Sequence, residues 1–392
     1  MKTKLVVFGI TGDLSRRKLL PALRDIVKTG EYEDLSIIGV SRREVKPADV
    51  VGDNSELIDR TTVFTMDLAE AGDYRRLSDF LDLEPSEQAL MYLSVPPNAA
   101  ADIVDFLGQA GLNTPNIKIL FEKPFGFDLV SAQDFLERTG RYFSEAQIYR
   151  IDHYMAKDVT QYILKLRMDA ENHHHSWDSH TVAAIDVVAS EKIGIEGRGI
   201  FYEEVGALRD FIQCHLMQVL SLVLMDVTGS FELDKLAEHR LKALQQLHPA
   251  DPSSARRAQY KGYQAEVGNV GSLTETFASL ELHSNDERWQ DVPLRLITGK
   301  NLAEKRSYIL VTYRDGTSDT FEEGKTPVEG RLKNAYERVI IDAVNDRKHI
   351  FTTGPEVLRS WEIVAPVLRA WEFDDQPLSL YSPGVVVDDL LS

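Results

Sequence analysis

His215 sits on or beside the apolar stripe Leu208, Ile212, Leu216, Val219, Leu222 and Val223, in a run from Glu203 to Met225 whose spacing predicts a long helix. An imidazole that takes a proton needs a carboxylate to fix its tautomer and support its charged form. Lacking one, it is an ordinary core histidine. Asp210 lies five residues earlier, roughly 140° away round an α-helix, and is a poor direct partner. Asp152, from another segment, is the better one. Asp152 also opens the stretch Asp-His-Tyr-Met-Ala-Lys, residues 152–157. If a helix starts there with Asp152 as its cap, His153 and Lys157 share one face and both can donate to a phosphate at the helix N-terminus. By itself the same pattern reads as an exposed amphipathic helix start. Cys214 beside His215 points about 100° away, so it reads as packing, not as a Cys–His nucleophile pair. The run His173-His174-His175 with His180 lacks an acid or thiolate at metal-binding spacing and reads as a polar loop, so no metal is expected.

These groups need a scaffold. Lys4 to Ile10 is a short apolar, β-branched run, and a glycine turn follows, Gly9-Ile-Thr-Gly12-Asp-Leu-Ser15. Ser15 to Lys28 then reads as a helix with Leu19, Leu20, Leu23 and Ile26 on one side, and Leu35 to Val40 as the next strand. Strand, glycine turn, helix, strand opens a dinucleotide-binding fold, with the pyrophosphate at the helix N-terminus. Gly9, Thr11, Gly12, Asp13, Leu14 and Ser15 are the expected cofactor turn. The pattern is GxxGxxS rather than GxGxxG. After the second strand, where NAD-binding folds place an acid, stand Ser41-Arg42-Arg43; guanidinium groups there favour a 2′-phosphate, hence NADP, with NAD as a second acceptor. Ala89 to Val95 is a strand before Pro96-Pro97, Ala99 to Gln109 a helix, Ile117 to Glu122 a strand running into Lys123-Pro124, and Ala146 to Arg150 the last strand. Lys123 therefore stands beyond a strand's carboxyl end, where such folds hold ligands.

The first domain is placed at 1–150: α/β, Rossmann-like and dinucleotide-binding. Residues 151–392 form an α+β domain with a large, mostly antiparallel sheet, built from Thr181 to Ser190, Ser272 to Leu282, Pro293 to Thr298, Tyr308 to Arg314 and Thr317 to Phe321. Asp315-Gly316 is a hairpin turn. Val328 to Asp346 and Pro355 to Trp371 read as helices. Gly299-Lys300 ends one strand and Lys305 follows, two lysines that can touch a sugar phosphate or solvate an edge.

Net charge is −18 and the hydrophobic fraction 43%. This balance argues against nucleic acid or an anionic membrane as a partner. An anionic ligand must be held by a local basic cluster. One cysteine excludes an internal disulfide. No membrane-spanning run or signal-peptide core is evident, so a cytoplasmic enzyme is expected.

FGITGDLSRRKLLPAL, YLSVPP, FEKPFG, YRIDHYMAKD, EGRGIFYEEVGALRDFIQCHLMQVL, ERWQDVPLRLITGK and NAYERVIIDAV, in that order, resemble the glucose-6-phosphate dehydrogenases over nearly the whole chain. The resemblance implies oxidation of C1 of glucose 6-phosphate to the 1,5-lactone with hydride transfer to NADP, in the oxidative branch of the pentose phosphate pathway. It implies His215 as general base, oriented by Asp152. His153, Tyr154 and Lys157 would hold the phosphate, Lys123 would stand between substrate and cofactor, and Glu196, Asp210 and Lys300 would hold the sugar hydroxyls. Lys305 falls where an arginine is common. Arg42 would meet the 2′-phosphate and Thr11 the cofactor. The Lys123–Pro124 peptide is expected to be cis, and the chain a homodimer or homotetramer.

Departures from the family pattern bear on specificity. Glu322 to Leu332 replaces a much longer stretch that carries a sugar-contacting glutamine and, in some members, a second structural NADP site. A smaller sheet without that site is expected, and dehydrogenation of another hexose or amino-hexose 6-phosphate is the first rival reading. A non-catalytic NADP-binding sensor is the second, and Asp152, His215 and Lys123 speak against it. Cys214 stands where asparagine is usual.

Overall fold

A computed structural model describes residues 1–168, 177–227, 232–326 and 334–391. The chain divides into two compact units: residues 1–126, 133–156 and 333–354 form the first, and 127–132, 157–332 and 355–392 the second. This differs from a single cut at residue 150.

The strands are β1 (Thr3–Phe8), β2 (Leu35–Ser41), β3 (Thr61–Thr65), β4 (Gln88–Leu93), β5 (Ile117–Glu122), β6 (Ile148–Ile151), β7 (Val182–Ser190), β8 (Arg256–Tyr260), β9 (Phe277–Leu282), β10 (Leu294–Gly299), β11 (Arg306–Tyr313), β12 (Ser318–Glu322), β13 (Phe351–Thr352) and β14 (Ser379–Tyr381).

The first unit's sheet has the order β13-β6-β5-β4-β1-β2-β3. All neighbours are parallel except β13, which runs antiparallel to β6. Its core order is that of the doubly wound dinucleotide fold, and the strand order reverses between β1 and β4. Helices cover parallel strands on both faces, which is why β1 and β4 read as near-continuous apolar runs and are buried along their length. Two strands escape the sequence reading. β3, Thr-Thr-Val-Phe-Thr, is too short and polar to stand out. β13 has two residues and comes from the far end of the chain.

The helix Ala335–Val344 belongs to this unit. Asn334 and Glu337 form its reciprocal cap, with Glu337 N–H donating to Asn334 Oδ1 at 2.9 Å and Asn334 N–H to Glu337 Oε1 at 3.2 Å. The expected start at Val328 lies outside the described residues. Arg338 donates to the Ala156 carbonyl, and Gln88 Nε2 to the Val344 carbonyl at 2.8 Å. Those contacts and the β13–β6 pairing explain why residues 333–354 fold with the first unit despite their place in the sequence.

The second unit's sheet has the order β12-β11-β7-β10-β9-β8-β14. It is mostly antiparallel, with parallel pairs β10–β7 and β14–β8. Gly316, at φ 88°, makes the β11–β12 hairpin turn. β8 and β14 were not legible in the sequence. The expected strand from Ser272 begins only at Phe277.

The long helix runs Gly199–Leu224. Its length and apolarity would suffice to cross a membrane, yet 83% of its most apolar window is buried in the fold. It breaks at Gly206 (φ 65°, ψ 178°), and residues Leu208–Leu216 are π-wound before α-helix resumes over Met217–Leu224.

Candidate functional site

In the first unit, the glycine turn is pressed against the end of β4. Gly9 has φ +80°, and a Cβ there would lie 2.4 Å from the Ser94 carbonyl oxygen, so only glycine fits. Ser15, buried, donates to the Gly9 carbonyl at 3.0 Å and meets Ser94 Oγ at 3.2 Å. The turn thereby leads into a helix that starts at Asp13 and is π-wound over Ser15–Leu19. Gly9, Thr11, Gly12, Ser41 and Arg42 line a cleft of about 710 Å³ together with Asp67, Ser94 and Pro96. Leu14 and Ser15 continue the turn into the helix. Asp13 is exposed and ion-paired to Arg17 at 2.7 Å. Exposed Arg42 stands at the lip, beyond the end of β2. The flattened turn, the free N–H groups of a helix start and a cation at the lip fit a pyrophosphate-bearing nucleotide. Asp67, Ser94 and Pro96 are wall residues the sequence did not single out; they follow β3 and β4 at the strand ends that bind ligands in this fold.

Further along the same edge, β5 ends in Glu122 and Lys123–Pro124, whose peptide bond is cis as expected. Glu122 accepts a short hydrogen bond from the Tyr92 hydroxyl. Burial pushes its carboxyl up to about 7, against the lowering effects of Tyr92 and Lys123 and with Asp152 raising it further. The segment after β6 is not the helix expected from Asp152. Residues 152–157 form turns, and the helix is Asp158–Met168. Asp152 is buried, and its Oδ1 accepts from Tyr154 N–H at 2.9 Å, so it caps a turn and not a helix. His153 stacks on Tyr336, 6.3 Å between centroids at 15°, and meets Tyr154 edge-on. His153 and Lys157 therefore do not share a helix face. Lys157 belongs to the second unit, where its Nζ reaches Ser307 Oγ at 3.4 Å. Exposed Lys305 precedes that strand.

The second unit holds a buried charge cluster. Lys300, 2% exposed, is ion-paired to Glu191 and lies 3.5 Å from Asp210 Oδ2. Its ammonium sits over the rings of Tyr202 and Phe211, at 5.1 and 5.4 Å from their centroids. His215, 1% exposed, packs edge-on to Phe211 at 5.7 Å. Register explains the pairing: β10 runs parallel to β7 with Gly299 beside Ser190, which brings the next residues, Lys300 and Glu191, together. Glu191 is thus the carboxylate at Lys300. Glu196 is exposed, at φ 47° before Gly197 at φ 76°, and is not part of this cluster. The sequence signal for Glu191, an acid just beyond a strand, had no meaning until the strand's neighbour was known.

The winding of this stretch is not α-helical. With i→i+5 hydrogen bonds a π-helix has roughly 4.4 residues per turn, so residues five apart lie only about 50° from each other. Asp210 and His215 both fall in the π-wound stretch. Cys214 Sγ donates to the Asp210 carbonyl at 3.4 Å, a packing role. Of the histidine run, 173–175 lie outside the described residues. His180 is exposed, 3.6 Å from Asp178.

Comparison with known proteins gives the family. Residues 6–162 match the glucose-6-phosphate dehydrogenase NAD binding domain, and residues 164–333 and 325–387 the C-terminal domain of the same family. The second match breaks and restarts where the chain after the β12 hairpin was read as shortened. Glucose-6-phosphate 1-dehydrogenase from Gluconobacter oxydans is 32% identical over 457 aligned positions, covering 97% of this chain and 93% of the relative. The Mycolicibacterium smegmatis enzyme of that name is 30% identical over 462, again covering 97% and 93%. Both alignments are longer than the 392 residues of this chain, so the relatives carry insertions against it. A solved glucose-6-phosphate dehydrogenase in complex with its substrate glucose-6-phosphate superposes with a TM-score of 0.89 at 26% identity, covering 100% of this chain and 96% of that one. The Mycobacterium avium glucose-6-phosphate 1-dehydrogenase gives 0.84 at 27%, covering 98% and 94%. A nucleotide cleft at a strand-order reversal, a buried lysine–carboxylate cluster beside a helical histidine, and both family domains matched end to end lead to one conclusion: the chain belongs to the glucose-6-phosphate dehydrogenase family.

Proposed function

We infer that this chain is a glucose-6-phosphate 1-dehydrogenase, an oxidoreductase that converts glucose 6-phosphate to 6-phospho-D-glucono-1,5-lactone with NADP as acceptor. The observation that carries the reading is the Lys300–Glu191–Asp210 cluster built around the helix that bears His215. A fixed ammonium flanked by carboxylates offers both donors and acceptors to sugar hydroxyls in a water-poor setting.

His215 is the general base. Its neutral imidazole takes the proton of the C1 hydroxyl, and Asp152 orients the ring and supports the imidazolium formed. NADP bound in the first unit's cleft would supply the acceptor for the C1 hydride. His153, Tyr154, Lys157 and Lys305 hold the 6-phosphate, and Lys123 stands between sugar and cofactor. Glu196, Asp210 and Lys300 hold the sugar hydroxyls, and Glu191 is the carboxylate paired with Lys300. Gly9, Thr11, Gly12, Asp13, Leu14 and Ser15 cradle the pyrophosphate. Arg42 selects the 2′-phosphate through charge-assisted hydrogen bonds, which makes NADP the preferred acceptor over NAD. The setting is cytoplasmic and the assembly a homodimer or homotetramer.

The test is NADP reduction with glucose 6-phosphate by wild type and His215→Asn, with sugar-phosphate binding measured separately. The expected result is turnover by wild type and a loss of roughly 10³-fold in kcat in the variant, with binding retained. A wild type that binds NADP but does not turn over would remove glucose 6-phosphate as substrate. An active His215→Asn would remove the base assignment.

A further inference from the structure

The long helix cannot hydrogen-bond through its own break. Gly206 leaves helical geometry, so the N–H groups of Ala207 and Leu208, at the start of the π-wound stretch, need acceptors from elsewhere. One residue supplies both. The Glu275 backbone carbonyl accepts from Ala207 N–H at 3.0 Å, and its carboxylate Oε1 accepts from Leu208 N–H at 2.9 Å. Residues at the helix start offer no capping side chain of their own. The fit requires glycine: a Cβ on Gly206 would lie 2.5 and 2.6 Å from the two carboxylate oxygens. A carboxylate at a helix N-terminus is also favoured by the helix dipole.

Glu275 has a second attachment. Its neighbour Thr276 accepts, through its carbonyl, from Lys300 N–H at 2.9 Å, and the Tyr381 hydroxyl bridges the Thr276 and Lys300 carbonyls. Residues 275–276 therefore hold the start of the helix carrying Asp210 and His215 on one side, and the backbone of Lys300 on the other.

We propose that Glu275 is a positioning residue of the reaction: its buried carboxylate caps the Leu208–Leu216 segment from outside the helix and sets where Asp210 and His215 stand relative to Lys300. The proposal rests on the reading of His215 as base.

The experiment compares wild type, Glu275→Gln and Glu275→Ala in steady-state kinetics, and follows the His215 imidazole titration by NMR, assigned against His215→Asn. The amide oxygen of Gln still accepts from Leu208, so Glu275→Gln should keep kcat and the His215 titration within about threefold of wild type. Glu275→Ala should lose roughly 100-fold in kcat, the scale of an ångström-sized misplacement, with less change in KM, and its His215 titration should move. Gly206→Ala, which displaces the carboxylate instead of deleting it, should reproduce these effects if Glu275→Ala does not fold. A Glu275→Ala or Gly206→Ala protein that melts earlier but keeps its kcat and its His215 titration would overturn the proposal, as would a Gln variant as impaired as Ala. The titration needs no turnover. If wild type fails to oxidise glucose 6-phosphate, or His215→Asn stays active, the functional reading fails while the titration still decides the cap.

Discussion

The nucleotide cleft of the first unit and the charge cluster of the second solve the binding of charged ligands in opposite ways. In the cleft the backbone does the positioning. A glycine turn pressed on Ser94 and a helix start provide the N–H groups, and the charged side chains, Arg42 and Asp13, stand exposed. In the cluster the side chains do it, with Lys300 taken out of water over two aromatic rings and the partly exposed Glu191 and Asp210 beside it. A backbone site is dictated by residues adjacent in sequence. A side-chain cluster exists only when distant segments fold together, and its charges depend on each other for their solvation.

The largest expected effect follows from that dependence. Lys300→Met leaves two largely buried carboxylates facing each other, and we expect a loss of about 3 kcal/mol of stability in denaturant unfolding. Adding Glu191→Gln should recover part of it; a Lys300→Met protein as stable as wild type would show that the cluster is not an interdependent unit.

The first unit also holds a charge-bearing group that burial controls, Glu122. Burial pushes its carboxyl up to about 7 from the usual 4.5. Below 4.5 it is protonated in folded and unfolded chains alike. As pH rises toward 7 the unfolded chain releases its proton first, so stability falls across that window by roughly 2 to 3 kcal/mol. Glu122→Gln should flatten this part of the stability–pH curve, and an unchanged slope would place the group in solvent.

Tyr202 should give the smallest effect. Its ring supports Lys300, but its buried hydroxyl finds no hydrogen-bond partner among the described residues. Tyr202→Phe keeps the ring and removes an unsatisfied polar group, so stability should be unchanged or rise by up to about 1 kcal/mol. A drop of that size or more in thermal unfolding would mean that the hydroxyl is engaged.

The same contrast governs what could be read in advance. β1, β2, β4 and β5 are legible because parallel strands buried on both faces are continuous apolar runs, and the glycine turn because its residues are consecutive. β3 and β8 are short and polar at their ends, and β13 and β14 are only two and three residues long, so they are strands only because a neighbour lends them hydrogen bonds. The Asp152 segment misled because Asp caps turns as readily as helices.

The two fold classes, the nucleotide-binding turn, the helix that carries His215 and the family are all legible along the chain, since each is written in local periodicity or in contiguous motifs. It took tertiary contacts to pair Glu191 with Lys300, to fold residues 333–354 with the first unit, and to cap with Glu275 a helix broken at Gly206. These are facts of strand register and of backbone hydrogen bonds left open by one segment and filled by another, which no spacing along a single stretch of chain encodes.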